Sequence, residues 1–182
     1  MVVTKSSTSY DRQRELKAFD DTKTGVKGLV DAGLAKVPKI FIHEQHMLNK
    51  YSRADPKSIS IPVVDLRGVD DEGASRSRTI DQVRHAFSKW GFFQVVNHGI
   101  PANVLDNIID GVRAFHEQDS EVKKQFYTRD YMSKKVVYTT NFDLYKAAAT
   151  NWRDALTCVV APSPPNPEEV PAVCRYVCTW HV

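Results

Sequence analysis

The sequence predicts an α+β fold in which helices pack on short strands. Hydrophobic residues make up 42% and charged residues 26% of the 182 residues, as in folded globular proteins. Apolar residues recur three or four positions apart in several segments, which is typical of amphipathic helices. Between residues 59 and 115 the order is strand, helix, strand, helix, and this order predicts a sheet covered by helices.

The first helical segment covers about residues 11–32 and ends at Gly33. Gly25 and Gly28 weaken it, so two shorter helices remain an alternative. A linker over residues 35–57 follows. Its apolar island, Ile40-Phe41-Ile42, is expected to lie against another part of the protein.

The central segment begins with a strand over Ile59–Leu66, and Pro62 indicates an edge position or a strand beginning. A polar turn leads to a helix with Ser75 or Ser77 as its N-cap and Gly91 past its end. Its apolar positions are Ile80, Val83, Phe87 and Trp90. The run 92–96 is predicted to be a buried strand, and His98-Gly99 makes the next turn.

Pro101 stands near the start of a further helix. Its apolar stripe comprises Val104, Leu105, Ile108, Ile109, Val112 and Phe115. Asp119 or Ser120 is expected to cap another helix. Strand-like runs follow at 136–145 and 152–160, the second ending at 161–167, which holds four of the nine prolines. Pro171 is predicted to open a last helix.

Charge and cysteine content argue against several classes of protein. The net charge is +3, and the charges of residues 1–57 alternate in sign instead of forming the basic stripe that nucleic-acid binding requires. No apolar run reaches membrane-spanning length. Three cysteines suit a reducing compartment better than a disulfide framework. We therefore expect a cytoplasmic protein with neither a nucleic-acid nor a membrane partner.

Six histidines raise the question of a metal site. A non-haem iron site needs two histidines and one carboxylate, and its usual trace is His-x-Asp or His-x-Glu with a second histidine far downstream. No histidine here shows this trace, so each is predicted to be a surface or capping residue: His43, His46, His85, His98, His116 and His181.

Cys174, Cys178 and His181 form a second candidate cluster, because they share one face of the predicted last helix. The second cysteine pair of a structural zinc site is missing, so Cys178 is interpreted as a small core residue. No glycine-rich phosphate loop is present.

Aromatic and basic residues are mixed between residues 123 and 152. This combination can bind single-stranded nucleic acid, but tyrosines at strand spacing more often pack or line a small-molecule pocket. We prefer the second interpretation. The residues are Lys123, Lys124, Tyr127, Arg129, Tyr131, Lys134, Lys135, Tyr138, Phe142, Tyr145 and Trp152.

Several motifs resemble the N-terminal domain of plant iron(II)/2-oxoglutarate-dependent dioxygenases. They are Ile61–Leu66, Trp90-Gly91, Phe92–Ile100, Phe115–Gln118, Asn141–Tyr145, Asn151–Asp154 and the proline-rich 161–171. Together with Phe19–Lys23 and Gly25–Asp31, they are similar to the subgroup of 1-aminocyclopropane-1-carboxylate oxidase homologs. The resemblance covers about residues 10–175.

The resemblance implies an oxidoreductase that uses iron(II), 2-oxoglutarate and dioxygen, with ascorbate as a further candidate, on a small molecule. It implies helices followed by part of a distorted double-stranded β-helix, or jelly roll, which is incomplete here. The family's His-x-Asp…His iron triad and Arg-x-Ser pair do not occur in the chain. We therefore assign no catalytic, metal or cofactor-binding residue and expect this chain to bind no cofactor.

The expected organisation is a helical extension and linker at 1–57, the dioxygenase N-terminal domain at 58–165 and a divergent tail at 166–182. From Tyr176 onwards the residues depart from the family. Three hypotheses follow: a truncated, inactive product, an interaction module that associates through exposed sheet edges, and an incomplete reading of a gene whose product is active.

Overall fold

The computed structural model describes residues 10–44 and 60–175 and confirms a mixture of helices and small sheets. The α-helices of this part of the chain are α1 (Arg12–Thr22), α2 (Gly25–Asp31), α3 (Ala74–Trp90), α4 (Ala102–Glu117) and α5 (Ser120–Lys124). The strands are β1 (Val63–Asp65), β2 (Gln94–Val96), β3 (Val136–Thr140) and β4 (Asp154–Cys158). Short 3₁₀ turns lie at Lys39–Phe41, Pro167–Glu169 and Ala172–Cys174.

The described residues fall into two compact units. One unit, called the hairpin unit below, contains residues 10–44 and 107–175, and the other, the crossover unit, contains residues 60–106. The hairpin unit thus joins the N-terminal helices to a segment far along the chain. The sequence suggests domain boundaries after residues 57 and 165. These boundaries refer to domains of the family and not to compact units, so they stay a prediction.

The crossover unit is built from a parallel strand pair and the helix that connects it. Val63, Val64 and Asp65 pair with Gln94, Val95 and Val96. Parallel strands cannot be joined by a tight turn, and α3 makes the required crossover. Val64 is buried under α3 together with Ala86 and Thr79. This small interface is the core of the unit.

The hairpin unit is built around an antiparallel pair, in which β3 runs from Val136 opposite Cys158 to Thr140 opposite Asp154. All five residues of β3 are buried. One core cluster joins α1, α2 and the turn after Pro38 through Leu16, Phe19, Val26, Ile40, Phe41 and Leu144. A second joins α4 to β3 and the C-terminal turns through Phe115, Val136, Tyr138, Val170 and Cys174.

Several sequence-based expectations are confirmed. The N-terminal segment forms two helices, because Lys23 is left-handed at φ 55° and ends α1. Ile40 and Phe41 are buried as expected, whereas Ile42 is exposed. Asp119 caps α5 by accepting a hydrogen bond from the backbone N–H of Glu121.

Other expectations are wrong in detail. The N-cap of α3 is Gly73, without a capping side chain, and not Ser75 or Ser77. Strand β2 is exposed at all three residues, although a buried strand was predicted. Strand β3 ends at Thr140 and not at Tyr145, because Asn141 is left-handed at φ 54° and turns the chain.

The C-terminal prediction can be followed only to Arg175. Pro171 precedes a 3₁₀ turn there, and the remainder of the predicted helix, with Cys178 and His181, lies outside the described residues. Within residues 10–44 and 60–175 the two sheets have two strands each and form no closed barrel. The jelly-roll part of the fold therefore stays a prediction. No described helix is long and apolar enough to cross a membrane.

Candidate functional site

The aromatic and basic residues between 123 and 152 meet the N-terminal helices at two half-buried carboxylates. The first is Asp20, near the end of α1. Its side chain accepts hydrogen bonds from Arg129 Nε at 2.9 Å and from the Tyr145 hydroxyl at 2.8 Å. The hydroxyl of Tyr127 also donates to it. One carboxylate thus gathers three side chains that lie more than a hundred positions away.

Arg129 connects this carboxylate to the end of β3. Its Nη1 donates to the carbonyl of Asn141 at 2.9 Å and its Nη2 to the carbonyl of Thr140 at 3.0 Å. The guanidinium fork therefore satisfies the carbonyls that the strand leaves unpaired where it ends.

The charged and hydroxyl groups around Asp20 shift one another's pKa values. Burial raises the pKa of Asp20, but hydrogen bonds from Arg129, Tyr127 and Tyr145 outweigh it and leave the pKa below its usual value. Burial and the hydrogen bond to Asp20 raise the pKa of Tyr145 to about 12. The same causes raise the pKa of Tyr127. Asp20 is thus held ionised between neutral tyrosines.

The second carboxylate, Asp154, begins β4 and caps α2. It accepts hydrogen bonds from the backbone N–H groups of Val26 at 2.8 Å and Lys27 at 3.0 Å. The hydroxyl of Thr140 donates to it at 2.6 Å. The local cap residue, Thr24, makes no side-chain capping hydrogen bond, so a carboxylate from a distant strand supplies the acceptor that a helix N-terminus needs.

Gly25 allows this close approach. Its φ of +70° is left-handed, and a Cβ at this position would overlap the Asp154 carboxylate. The hydroxyl of Tyr138 lies beside the same carboxylate at 3.4 Å and donates to the carbonyl of Thr24 at 3.1 Å. Both carboxylates are therefore occupied by protein donors, and the arrangement fastens helices to the hairpin.

The packing interpretation of the tyrosines holds for Tyr127 and Tyr138. Their rings lie edge to face at 5.8 Å, and Tyr138 contacts Phe115 in the same way at 5.4 Å. A cavity of about 510 Å³ does open beside Tyr127. Its lining mixes Lys134 and Lys135 with Glu168 and Glu169, and the chain offers no convergent catalytic pair there.

The described histidines have separate local surroundings. His43 and His85 are exposed, and His98 caps its own turn, since its Nδ1 accepts a hydrogen bond from the N–H of Ile100 at 3.0 Å. His116 corrects the sequence-based expectation, because its half-buried ring packs on Phe115 and Tyr138. Burial lowers its pKa. His46 and His181 lie outside the described residues.

The residues that the structure describes do not fit an iron site. Within 10–44 and 60–175 no group of three or more histidine, cysteine, aspartate or glutamate side chains could hold a metal ion. Cys174 is buried, and its thiol donates to the carbonyl of Gly111 at 3.3 Å. Its surroundings are those of a core residue.

Sequence reasoning missed the two carboxylates and a buried lysine. Lys123 is 0% exposed, and its ammonium donates to the carbonyl of His116 at 2.9 Å, which caps the C-terminal end of α4. The sequence holds weak signals for Asp20 and Asp154, since each lies in a motif shared with the family. Nothing local marks the partners that join each carboxylate to another element, such as Arg129 for Asp20 and Val26 for Asp154, which lie more than 100 positions distant along the chain.

Comparison with known proteins places these residues in a family. The family model described as "non-haem dioxygenase in morphine synthesis N-terminal" matches residues 61–180. The chain is 52% identical over 176 residues to 1-aminocyclopropane-1-carboxylate oxidase homolog 12 of Arabidopsis thaliana, covering 96% of this chain and 48% of that protein.

Two further relatives carry activity names. Deacetoxyvindoline 4-hydroxylase of Catharanthus roseus is 47% identical over 163 residues, which are 89% of this chain and 41% of the hydroxylase. A probable 2-oxoacid dependent dioxygenase of Arabidopsis thaliana is 48% identical over 166 residues, 91% of this chain and 46% of that protein. The chain spans about half the length of the curated relatives it matches. The extent and identity of these matches show that the chain belongs to the non-haem dioxygenase family, through the family's N-terminal domain.

Proposed function

We propose that these residues are the N-terminal portion of an iron(II)/2-oxoglutarate-dependent dioxygenase that oxidises a small molecule. The observation that carries the proposal is the match to an N-terminal dioxygenase domain, together with the half-length coverage of an oxidase homolog, a hydroxylase and a probable 2-oxoacid dependent dioxygenase. The jelly roll that would complete the fold is proposed for the part of such proteins that this chain does not cover. The cytoplasm is the proposed location.

We assign to the chain itself a structural role and no catalytic residue. The described residues do not fit iron, and we assign none of them to iron or to 2-oxoglutarate. Asp20 and Asp154 hold α1 and α2 against the β3–β4 hairpin. Our proposal is that the 182-residue chain alone forms no succinate from 2-oxoglutarate.

Succinate formation from 2-oxoglutarate tests both statements. The purified 182-residue chain is assayed with iron(II), ascorbate and 2-oxoglutarate, and we expect no succinate above a metal-free control. A chimera that joins residues 1–175 to the remaining part of the Arabidopsis thaliana homolog 12 should form succinate with iron. Turnover by the chain alone would refute its incompetence, and a folded chimera without iron-dependent turnover would refute the proposed role.

A second candidate is a non-catalytic interaction module. Among the described residues β1 and β2 pair only with each other, and β2 is exposed along its whole length. Unpaired strand edges attract further strands. Co-purification of the chain with a full-length family member would favour this role, whereas a monomer that binds none would exclude it. Sequencing the transcript beyond codon 175 decides whether the product continues into a catalytic half.

A further inference from the structure

The proline-rich segment that follows β4 carries no residue that we assign to the proposed dioxygenase chemistry. Residues 161–167 hold four prolines, and residues 159–166 form neither helix nor strand. Ser163 lies in this segment between Pro162 and Pro164, and it is exposed. An irregular surface segment of this kind is accessible to enzymes that act on other proteins.

The residue after Ser163 gives its hydroxyl a specific sequence context. Ser163-Pro164 is the only Ser-Pro or Thr-Pro pair in the 182 residues. Proline restricts the residue before it to extended conformations, and it has no N–H donor that a binding partner must satisfy. Protein kinases bind the segment around the acceptor in an extended conformation, and one class of them selects proline directly after the acceptor residue. Ser163 therefore has the local chemistry of an acceptor for this class.

A lysine already contacts this hydroxyl from the start of β3. The ammonium of Lys135 donates a hydrogen bond to the Ser163 Oγ at 3.1 Å and another to the carbonyl of Pro164 at 3.0 Å. The backbone of Lys135 is held as well, because its carbonyl accepts a hydrogen bond from the N–H of Val159 at 2.8 Å. A phosphate on Ser163 would thus form beside a cation whose position the hairpin fixes.

The charges around Ser163 have both signs. The charged residues that line the neighbouring cavity are Lys134, Lys135, Glu168 and Glu169. The carboxylate of Glu169 accepts a hydrogen bond from the N–H of Asn166 at 2.7 Å, whereas the ammonium of Lys135 contacts the Ser163 hydroxyl itself. Coulomb interactions weaken with distance, so a phosphate of about −1.5 to −2 charge is attracted at this position.

We propose that Ser163 is a phosphorylation site for a protein kinase that selects proline after the acceptor serine, and that Lys135 binds the phosphate. The kinase supplies ATP with magnesium. The Ser163 Oγ forms a bond to the γ-phosphorus, the bond from that phosphorus to the bridging oxygen breaks, and ADP leaves with the bonding electron pair. The hydroxyl proton passes to a carboxylate of the kinase. Charge-assisted hydrogen bonds then join the proline-rich segment to the start of β3.

Phosphate incorporation into the purified 182-residue chain tests the site. The chain is incubated with magnesium, ATP and a recombinant mitogen-activated protein kinase, and the modified peptides are identified by mass spectrometry. We expect phosphate on Ser163, and Pro164→Ala should slow its incorporation at least about tenfold, since the kinase pocket discriminates by the fit of this residue. The matched control is Ser133→Ala, because Ser133 is an exposed serine followed by lysine, and this variant should keep the rate at Ser163.

Two results of this experiment would overturn the proposal. One is a folded chain that acquires no phosphate at Ser163. The other is a Pro164→Ala variant that is phosphorylated at Ser163 as fast as the unmodified chain, because the proline would then play no part in recognition.

Substitution of the lysine tests its role as the phosphate's partner. Phosphorylation should raise the thermal midpoint of the chain by about 1–3 °C, as expected for a surface charge pair in a protein of this size. The rise should be absent from phosphorylated Lys135→Met and retained by phosphorylated Lys134→Met, the variant of the neighbouring lysine. An equal rise in both variants, or no rise in the unmodified sequence, would show that Lys135 does not bind the phosphate.

A phosphorus NMR titration keeps the test independent of the stability of the variants. The second pKa of the phosphate should be lower in the phosphorylated chain than in a phosphorylated peptide of residues 159–168, because a nearby ammonium favours the dianion. Equal pKa values in the chain and the peptide would overturn the assignment of Lys135.

Discussion

The hairpin unit and the crossover unit use their residues in opposite ways. In the hairpin unit every residue of β3 is buried, and the side chains of Asp20 and Asp154 bind helices to the strand ends. In the crossover unit β2 is exposed throughout, and large apolar residues stand outside the core. The difference teaches that side-chain hydrogen bonds fasten helices to strands in the first unit, whereas the second relies on the packing of one helix on a two-stranded sheet.

A matched pair of phenylalanines gives the largest expected contrast. Phe115 is 0% exposed and contacts Phe126 and Tyr138, so Phe115→Ala should lower the free energy of unfolding by about 3–5 kcal/mol. Phe87→Ala should change it by less than about 0.5 kcal/mol in the isolated chain. Urea unfolding followed by circular dichroism measures both, and similar losses would break the comparison between the units.

Asp154 should give the next largest effect. Asp154→Ala removes the acceptor for Val26, Lys27 and Thr140, and we expect a loss of about 2–4 kcal/mol because buried donors are left unsatisfied. Asp143→Ala, an exposed change in the same hairpin loop, is the control. Hydrogen exchange should locate the loosening at the first turn of α2. Unchanged protection there would show that the cap contributes nothing.

A substitution at Lys123 tests whether its buried ammonium group stabilises the C-terminal end of α4. Lys123→Met removes the donor to the His116 carbonyl and should cost about 1–2 kcal/mol. The neighbouring Lys124→Met is the control, because Lys124 pairs with the exposed Glu121 and such pairs contribute about 0.3–0.5 kcal/mol. Equal urea midpoints for the two variants would show that the Lys123 hydrogen bond does not stabilise the hairpin unit.

The smallest effect is a pH dependence at Asp20. Its folded pKa is depressed, so its contribution to stability is complete above the unfolded value of about 3.9 and is lost as pH falls through the folded pKa. Asp20→Asn should therefore flatten the fall in the urea midpoint between about pH 5 and pH 2. The control is Asp21→Asn, because Asp21 is exposed at the next position. In this variant the urea midpoint should change with pH as steeply as in the unmodified chain.

Sequence patterns predicted the elements well and their partners poorly. The apolar spacing of α3 and α4 and the cap at Asp119 are local signals, and the structure confirms these elements. The same spacing could not tell which side of α3 faces the sheet, because the apolar arc is wider than the strands beneath it. The exposed side therefore became visible only in three dimensions.

The candidate site was hardest to predict because its contacts are long-range. Asp20 and Arg129 are 109 positions apart, and neither has an unusual local sequence. His98 and His116 show that similar local sequence can also lead to different surroundings. Both follow helix- or strand-forming segments in similar ways, but one caps a turn while the other packs on Tyr138. Their contacts with other elements, which the local sequence does not encode, separate them.

The Asp20–Arg129 pair bears on where an expression fragment can begin. The family model starts at residue 61, but a fragment cut there would lose the only carboxylate that neutralises the half-buried Arg129 guanidinium among the described residues. It would also expose the part of β3 that α2 contacts. Recombinant fragments of such proteins should therefore retain the N-terminal helices, because the evolutionary boundary and the folding boundary differ.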